Sequence, residues 1–600
     1  MKTKLLLYIM LAFVANVKAQ SPGWEWATGN GGTDYEWGQS VAEDAAGNTV
    51  VVGAFYSPTI TFGSTVLTNP NSGKHTSYIV KYNVSGNVTW AKQTIAVGGA
   101  NYNRATGVGI DMLNNIYVTG IYFSTTLAFG TITLTNNSCC LGAYYLAKYD
   151  ASGNIIWAIT TSGVKAGGWA YPPQPNYEPT PINKLAINKN NGDLYMVGTF
   201  DSLHMTFGST VLTNLTLDTG YFPLNDIFIA KYNSAGNFIW AKNIGGQRQD
   251  YATDIAVNNS NVFVTGAFSS SLLFVGSTIL INPNQSGTWD NHEPFVAKYD
   301  ASGNFVWAKQ GIATLTGIKR DRGKNLVADA SGNCYLTGEF ESPFIVFDGD
   351  TLFNTDTVSG SSKIFVVKFN SSGNVIWTKN FANGIGNDWA QGIQTDASGN
   401  VYVGGTSYSN AMTFDSITLN TNGYGIYITK FNPSGNVYWA KSPGGNFQQK
   451  HLVGLSVNAA GNVYITGGFK GSMYFGNDTL TSNGQSDIFL AKLSAVVGID
   501  EYFFDNDIQL LLSPNPSNGE FNVSSFQVPI QNIDVYNLFG EKVYSETTSQ
   551  TSIKKINLKP ACRSGRNISS GIYFVKVYVY PDAIGNGEKS YCRKLIIERD

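Results

Sequence analysis

Six hundred residues are enough for two or more domains, or for one large repetitive one. A hydrophobic fraction of 43% against 13% charged residues excludes a disordered chain, and a net charge of −2 gives nucleic acid no global attraction. The 65 glycines, with abundant Ser, Thr and Asn, fit an all-β fold with many turns.

The chain opens on an export signal, residues 1–19. Lys2 and Lys4 precede an apolar run from Leu5 to about Val14, and the small residues Val17 and Ala19 place a cleavage between Ala19 and Gln20. No Cys follows the cut, which argues against a lipoprotein. No other window approaches about 18 apolar residues, so the mature chain is expected to have no transmembrane helix.

Residues 20–497 repeat one pattern seven times. A short first strand leads into a turn of the Asp-Ala-Ser-Gly-Asn type, and the second strand reads Val-Tyr-Val-x-Gly, with its Gly at 53, 120, 198, 266, 338, 405 and 467. An insertion follows that is expected to add a hairpin. The third strand ends in Lys81, Lys148, Lys231, Lys298, Lys368, Lys430 and Lys492, and these lysines are expected to lay their stems on apolar surface with the ammonium at the rim. A turn such as Asn233–Asn237 joins it to a fourth strand bearing Trp90, Trp157, Trp240, Trp307, Trp377 or Trp439. Six repeats have that Trp strand. The seventh stops at Ser494, and the missing strand lies at Gly23–Thr28 around Trp26. The pattern predicts a seven-bladed β-propeller whose N-terminal strand closes the last blade.

These motifs resemble the bacterial β-propeller family called the SBBP repeat. Its run of Gly-Ile-Ala-Val-Asp, Gly-Asn-Val-Tyr-Val-Thr-Gly, Phe-Val-Ala-Lys and Gly-Asn-x-x-Trp recurs here with local departures at Asn258–Asn261 and Ile159. The resemblance brings no catalytic residues with it.

Periodicity stops near Val497. A linker, 498–510, leads to a different module at 511–600, read as a small β-sandwich. Its Pro-Asn-Pro-x-x-Gly opening, the Tyr-Asn-x-x-Gly-Glu-Lys-Val centre from Tyr536 and the Gly571-Ile-Tyr-Phe-Val-Lys strand resemble the type A C-terminal sorting domain of type IX secretion cargo in the Bacteroidota. That resemblance implies the type IX machinery as a partner, passage through the periplasm, and release or surface attachment, usually with removal of the module. Cys562 and Cys592 are a possible disulfide in an oxidising compartment. Cys334 reads as a small buried hydrophobe.

No catalytic constellation stands out. The four His fall in separate repeats, no nucleophile elbow or phosphate loop is present, and the Asp-rich turns lack calcium-loop spacing, so no metal or cofactor is expected. Residues common to every repeat serve the fold, and function is sought where repeats differ. Two connections stand out: an aromatic, Pro-stiffened one with Trp169, Tyr171 and Tyr177, and a basic one with Lys319, Arg320 and Arg322. The first suits a sugar ring or a peptide; the second suits an acidic polymer. Tyr35, Tyr102, Tyr251 and Trp389 occupy matching places before the first strands and read as structural. The expected function is a secreted or surface-attached binding or adhesion propeller with a glycan or protein ligand and no nucleic acid partner. A polysaccharide-active enzyme with carboxylates assembled on the open rim, or a purely structural surface or matrix component, are the alternatives.

Overall fold

The computed structural model describes residues 22–495 and 510–597, except 72, 100–101, 137–141, 162–182, 216–224, 259–260, 285–290, 314–318, 356–360, 382–385, 514–519, 526–528, 538–541, 559–570 and 580–588. The chain divides into two compact units, 1–496 and 497–600.

Among its described residues the first unit contains seven large antiparallel sheets, six of four strands and one of five, in which the insertion adds a strand. The first sheet shows the plan: Glu36–Glu43 innermost, then Thr49–Phe55, Thr76–Tyr82 and Val88–Gln93 outermost. The innermost strands of the others are Asn103–Ile110, Lys184–Ile187, Asp250–Asn258, Arg322–Ala328, Asp388–Thr395 and Gly444–Val457. Each touches the next, and the last touches the first, so the sheets form a closed ring. Both faces of each sheet are therefore covered by neighbours, and strands such as Thr49–Phe55 and Asp226–Tyr232 are buried at every residue.

Closure occurs within the seventh sheet. Trp24–Asn30 pairs antiparallel with Asp487–Leu493, with Trp26 opposite Lys492, so the N-terminal strand is the outermost strand of the last blade.

The recurring Trp and Lys bind blade to blade. Trp90 Nε1 and Lys81 Nζ both donate to the carbonyl of Ala151, in the next blade's turn between third and fourth strands, at 3.2 and 3.4 Å. Lys148 with Trp157, Lys231 with Trp240, Lys298 with Trp307, and Lys368 with Trp377 repeat the arrangement on Ser234, Ala301, Ser371 and Pro433. The lysine stems do cross apolar surface, but Lys81, Lys231, Lys298 and Lys368 are buried and their ammonium groups face the seam instead of water. The turn carbonyl that receives them becomes visible only once blades stack. After the sixth blade this turn is absent, because the chain's start supplies the strand; there Trp439 is buried and Lys441 donates to Pro22 instead.

The insertion between second and third strands forms a hairpin, Thr59–Phe62 with Thr65–Thr68 in the first blade, lying against the outermost strand. Gln93, Asn243, Gln310 and Asn380 donate from that strand to the hairpin carbonyls of Thr68, Thr213, Ile281 and Phe353. Covering an edge in this way blocks pairing with another chain. The Asp-rich turns are explained by their own backbone: Asp150 Oδ1 accepts from the N–H groups of Ser152 and Asn154 at 2.9 and 2.8 Å.

The second unit packs two sheets around one core. Leu512, Phe521, Val523 and Ile556 from one sheet meet Ile530, Ile533, Val535, Val575 and Val577 from the other, the arrangement of a small sandwich. Cys592 lies on its last strand, Lys589–Ile597; Cys562 lies outside the described residues. In the first unit Cys334 is fully buried in a strand.

Candidate functional site: the variable rim of the propeller

The tight turns occupy one rim of the ring. The other rim carries the connections from fourth to first strands and from second to third, and there the cross-strand register brings three positions of each blade together. In the first blade these are Trp37, Tyr56 and His75. Trp37 stands opposite Ala54 near the end of the second strand, Tyr56 follows that strand, and His75 precedes the third.

Reading the same register around the ring gives the first of the three positions as Trp37, Arg104, Tyr251, Arg322, Trp389 and His451 in the blades where it is described. The second is Tyr56, Phe123, Asp201, Ser269, Glu341, Tyr408 and Lys470. The third is His75, Gly142, Asn225, His292, Ser362, Tyr424 and Ser486. No two blades share a set. Just inside the first position, six inner strands carry a β-bulge, as at Gln39, Thr106, Thr253 and Gln391. A bulge bends the strand and re-aims the neighbouring side chains.

Three seams hold ring clusters. At the first, the His75 ring lies 5.0 Å from Trp37, 5.2 Å from Tyr56 and 4.9 Å from Tyr102. Burial, then the nearby positive charges of Arg104 and Lys74, push its pKa down to about 3, so this imidazole is neutral. At the second, Tyr251 packs edge-on against His292 at 5.3 Å, and the Arg322 guanidinium lies 5.9 Å from the Tyr251 ring. At the third, Trp389, Tyr408 and Tyr424 meet at 5.0 and 4.7 Å, Tyr424 Oη is 2.8 Å from His451 Nε2, and the Trp389 and His451 rings run nearly parallel at 6.2 Å.

Below this layer lies a shell of buried acids. Glu36, Asp250, Asp321 and Asp388 immediately precede the first rim position; Asp226, Glu293 and Asp487 open third strands. Serines hold the first group: Ser57 donates to Glu36, Ser270 to Asp250 at 2.7 Å, Ser342 to Asp321 and Ser409 to Asp388 at 2.9 Å. Across the seams the acids face one another as Asp487 with Glu36, Asp226 with Asp250, and Asp321 with Glu293. Burial raises Glu36 to about 7, Asp226 to about 7 and Asp321 to about 6; Asp250 and Glu293 are also raised well above the ordinary carboxylate range by burial, each with its like-charged neighbour adding to the effect. Asp388 also rises through burial, but Lys363 across its seam opposes the shift. Among the described residues no group of three or more His, Cys, Asp or Glu is placed to hold a metal ion.

Of the residues singled out from sequence, Trp169, Tyr171 and Tyr177 lie outside the described residues. Lys319, Arg320 and Arg322 do reach the variable rim. They are less loop-like than expected: Arg322 and Lys324 begin an inner strand and approach Glu339 at 3.8 and 3.2 Å, while the backbone of Lys319–Asp321 is tied to His292 by hydrogen bonds of 3.1 and 3.2 Å. Arg320 is exposed. Tyr35 and Tyr102 precede the acid position, whereas Tyr251 and Trp389 follow it, so the four do not match one another. The buried acids and the histidine stations were missed. Their signal was available: an acid followed by an aromatic or Arg and then Gly or Ala, as in Glu36-Trp-Gly38, Asp250-Tyr-Ala252, Asp321-Arg-Gly323 and Asp388-Trp-Ala390. A shallow groove of about 440 Å³ at the perimeter, between Leu215, Phe274 and Phe305, belongs to the outer strands and turns, not to this rim.

Residues 512–598 match the family model described as Secretion system C-terminal sorting domain. This tail marks the chain for type IX secretion and hence for the cell surface or the medium. A WD repeat-containing protein of Acanthamoeba polyphaga mimivirus is 25% identical over 65% of this chain and 31% of its own length. The regulatory protein FlaEY of Caulobacter vibrioides is 26% identical over 45% of this chain and 29% of its own. The chain thus spans about a third of the length of the curated relatives it matches. A solved structure of unknown function from Dyadobacter fermentans aligns over 78% of this chain and 98% of its own, at 8% identity and a TM-score of 0.36, a likeness that carries no functional argument.

Proposed function

We propose that this is an extracellular binding or adhesion protein, a propeller of SBBP type that holds its ligand on the variable rim. An N-terminal signal, cut between Ala19 and Gln20, and the C-terminal tail take it across the two membranes of a bacterium of the Bacteroidota. One observation carries the reading. The Trp, Lys, Gly and Asx-turn residues repeat from blade to blade, while no two blades carry the same combination at the three rim positions. Repetition serves the ring; variation at one surface serves recognition. Partly exposed rings at Trp37, Trp389 and Tyr408 suit a sugar or peptide.

The test is binding of the exported chain to glycan and extracellular-matrix arrays, repeated with Trp389→Ala and Tyr408→Ala. Loss of the captured signal in both variants, with an unchanged melting profile, supports the rim. Capture that ignores both substitutions removes it.

A further inference from the structure

On one side of the ring, indole and cationic groups of the rim are accessible together. Arg104 and Tyr251 are buried, whereas Arg320 is exposed and Trp37, Arg322, Trp389, His451 and Lys470 are partly exposed. These six belong to four consecutive blades, the fifth, sixth, seventh and first. Taken in order they alternate: two guanidinium groups on the fifth blade, an indole on the sixth, an imidazole and an ammonium on the seventh, and an indole on the first.

We propose that this arc binds an acidic polysaccharide, its pyranose rings lying on Trp389 and Trp37 and its carboxylates meeting Arg320, Arg322 and Lys470. The proposal rests on the rim being the binding surface and adds the ligand class. Neighbouring sheets stack about 10 Å apart, so four blades offer contacts along on the order of 20–30 Å, which suits several sugars in a row. Indole faces receive the axial C–H face of a sugar, and a planar guanidinium pairs with a carboxylate through two parallel N–H donors.

The charge on the arc is moderated. Arg322 and Lys324 share Glu339, and Glu341 lies beside Arg320 and Arg322. A surface of that kind suits a polymer with spaced carboxylates. It suits single-stranded nucleic acid poorly, because a phosphate on every residue calls for an uninterrupted basic track, and the chain carries a net charge of −2.

The experiment uses the exported chain with four probes: polygalacturonate, the same polymer after carboxyl reduction, dextran and oligothymidylate. Affinity is read by calorimetry at two salt concentrations. Polygalacturonate is expected to bind, with at least a tenfold loss on carboxyl reduction, a similar loss for Arg320→Ala with Arg322→Ala, and a similar loss for Trp389→Ala. Trp389→Phe keeps a ring and the packing, and is expected to retain most of the affinity. Equal binding of the reduced polymer or of dextran, lost on Trp389→Ala, overturns the acidic class and leaves the rim standing. Preference for oligothymidylate overturns it in favour of nucleic acid. No binding of any probe by folded protein overturns the ligand class and leaves the rim standing; polymer binding that neither set of substitutions alters overturns both.

Discussion

Trp26 Nε1 donates to the carbonyl oxygen of Val84 at 3.0 Å. This is the seam hydrogen bond that the first five blades each make with their own fourth-strand Trp, here made by a strand from the start of the chain. The seventh blade is thereby joined to the first through the same contact that links the first six in order. Trp26 also packs over Gly86 of the same turn.

Removing that strand is expected to weaken the whole ring. Deletion of residues 20–28 exposes the edge of Asp487–Leu493 and strips the indole from its seam. Thermal unfolding should begin at a lower temperature as one cooperative transition. Trp26→Ala should cost about 2–3 kcal/mol and Trp26→Phe about 1 kcal/mol, because the second loses little more than the hydrogen bond. A truncated protein that melts like the parent would mean that this strand does not close the ring.

The buried acids set a pH dependence. Glu36, Asp226 and Asp321 have folded-state pKa values raised to about 7, 7 and 6, above the ordinary carboxylate values of the unfolded chain. Between those limits the folded form holds more protons, so the stability these groups contribute is fully present only below about pH 4 and is lost as pH rises from there through 6 to 7. His75, held down at about 3, acts in the opposite sense, gaining the fold stability as pH rises toward the ordinary imidazole value. The acids outnumber it, and the melting temperature should fall between pH 5 and pH 8. Glu36→Gln combined with Asp321→Asn should flatten that slope; an equally steep slope in the double variant would refute the assignment.

A pair of glycines separates backbone strain from seam packing. Gly153 and Gly349 both have positive φ, at 81° and 100°. A Cβ on Gly153 would stand 2.9 Å from the Trp90 ring, whereas one on Gly349 meets nothing within 4 Å. Gly349→Ala should cost about 1 kcal/mol from the backbone alone, and Gly153→Ala at least about twice that, measured by denaturant unfolding. Equal losses would show that the indole gives way freely.

Export should depend on the second unit and folding of the first should not. Removing residues 511–600 is expected to leave a folded propeller in the periplasm, and the exported form is expected to lack this domain. Fractionation of the producing cells with mass spectrometry reads both outcomes. Truncated protein in the medium would end the sorting role; an intact C-terminus outside the cell would end only the removal.

Much of the ring is legible in the chain because each element is local and repeated. Six Trp strands for seven repeats leave one place, and Trp26 fills it. The lysines show where such reading stops. Their spacing reveals a common role, but the partner of Lys231 is the carbonyl of Ala301, known only once blades are stacked. The rim is harder still. Trp37, Tyr56 and His75 come from three separate stretches, and an insertion of variable length separates the last two. Bulges and unequal connections also hide one-residue offsets, and a shift of one residue along a strand turns a side chain to the other face. For that reason Tyr35 and Trp389 look equivalent in sequence and are not.

The closing strand also imposes an order in time. Lys492 meets Glu25 across 467 residues of chain, so the N-terminal strand has no partner until almost all of the propeller has been made. The ribosome therefore releases a chain whose first segment must wait, and a message cut short yields a ring that never shuts. Circular closure thus doubles as a test of completeness: only a fully translated propeller can hide its first strand, and an unfinished one leaves that strand open to proteases.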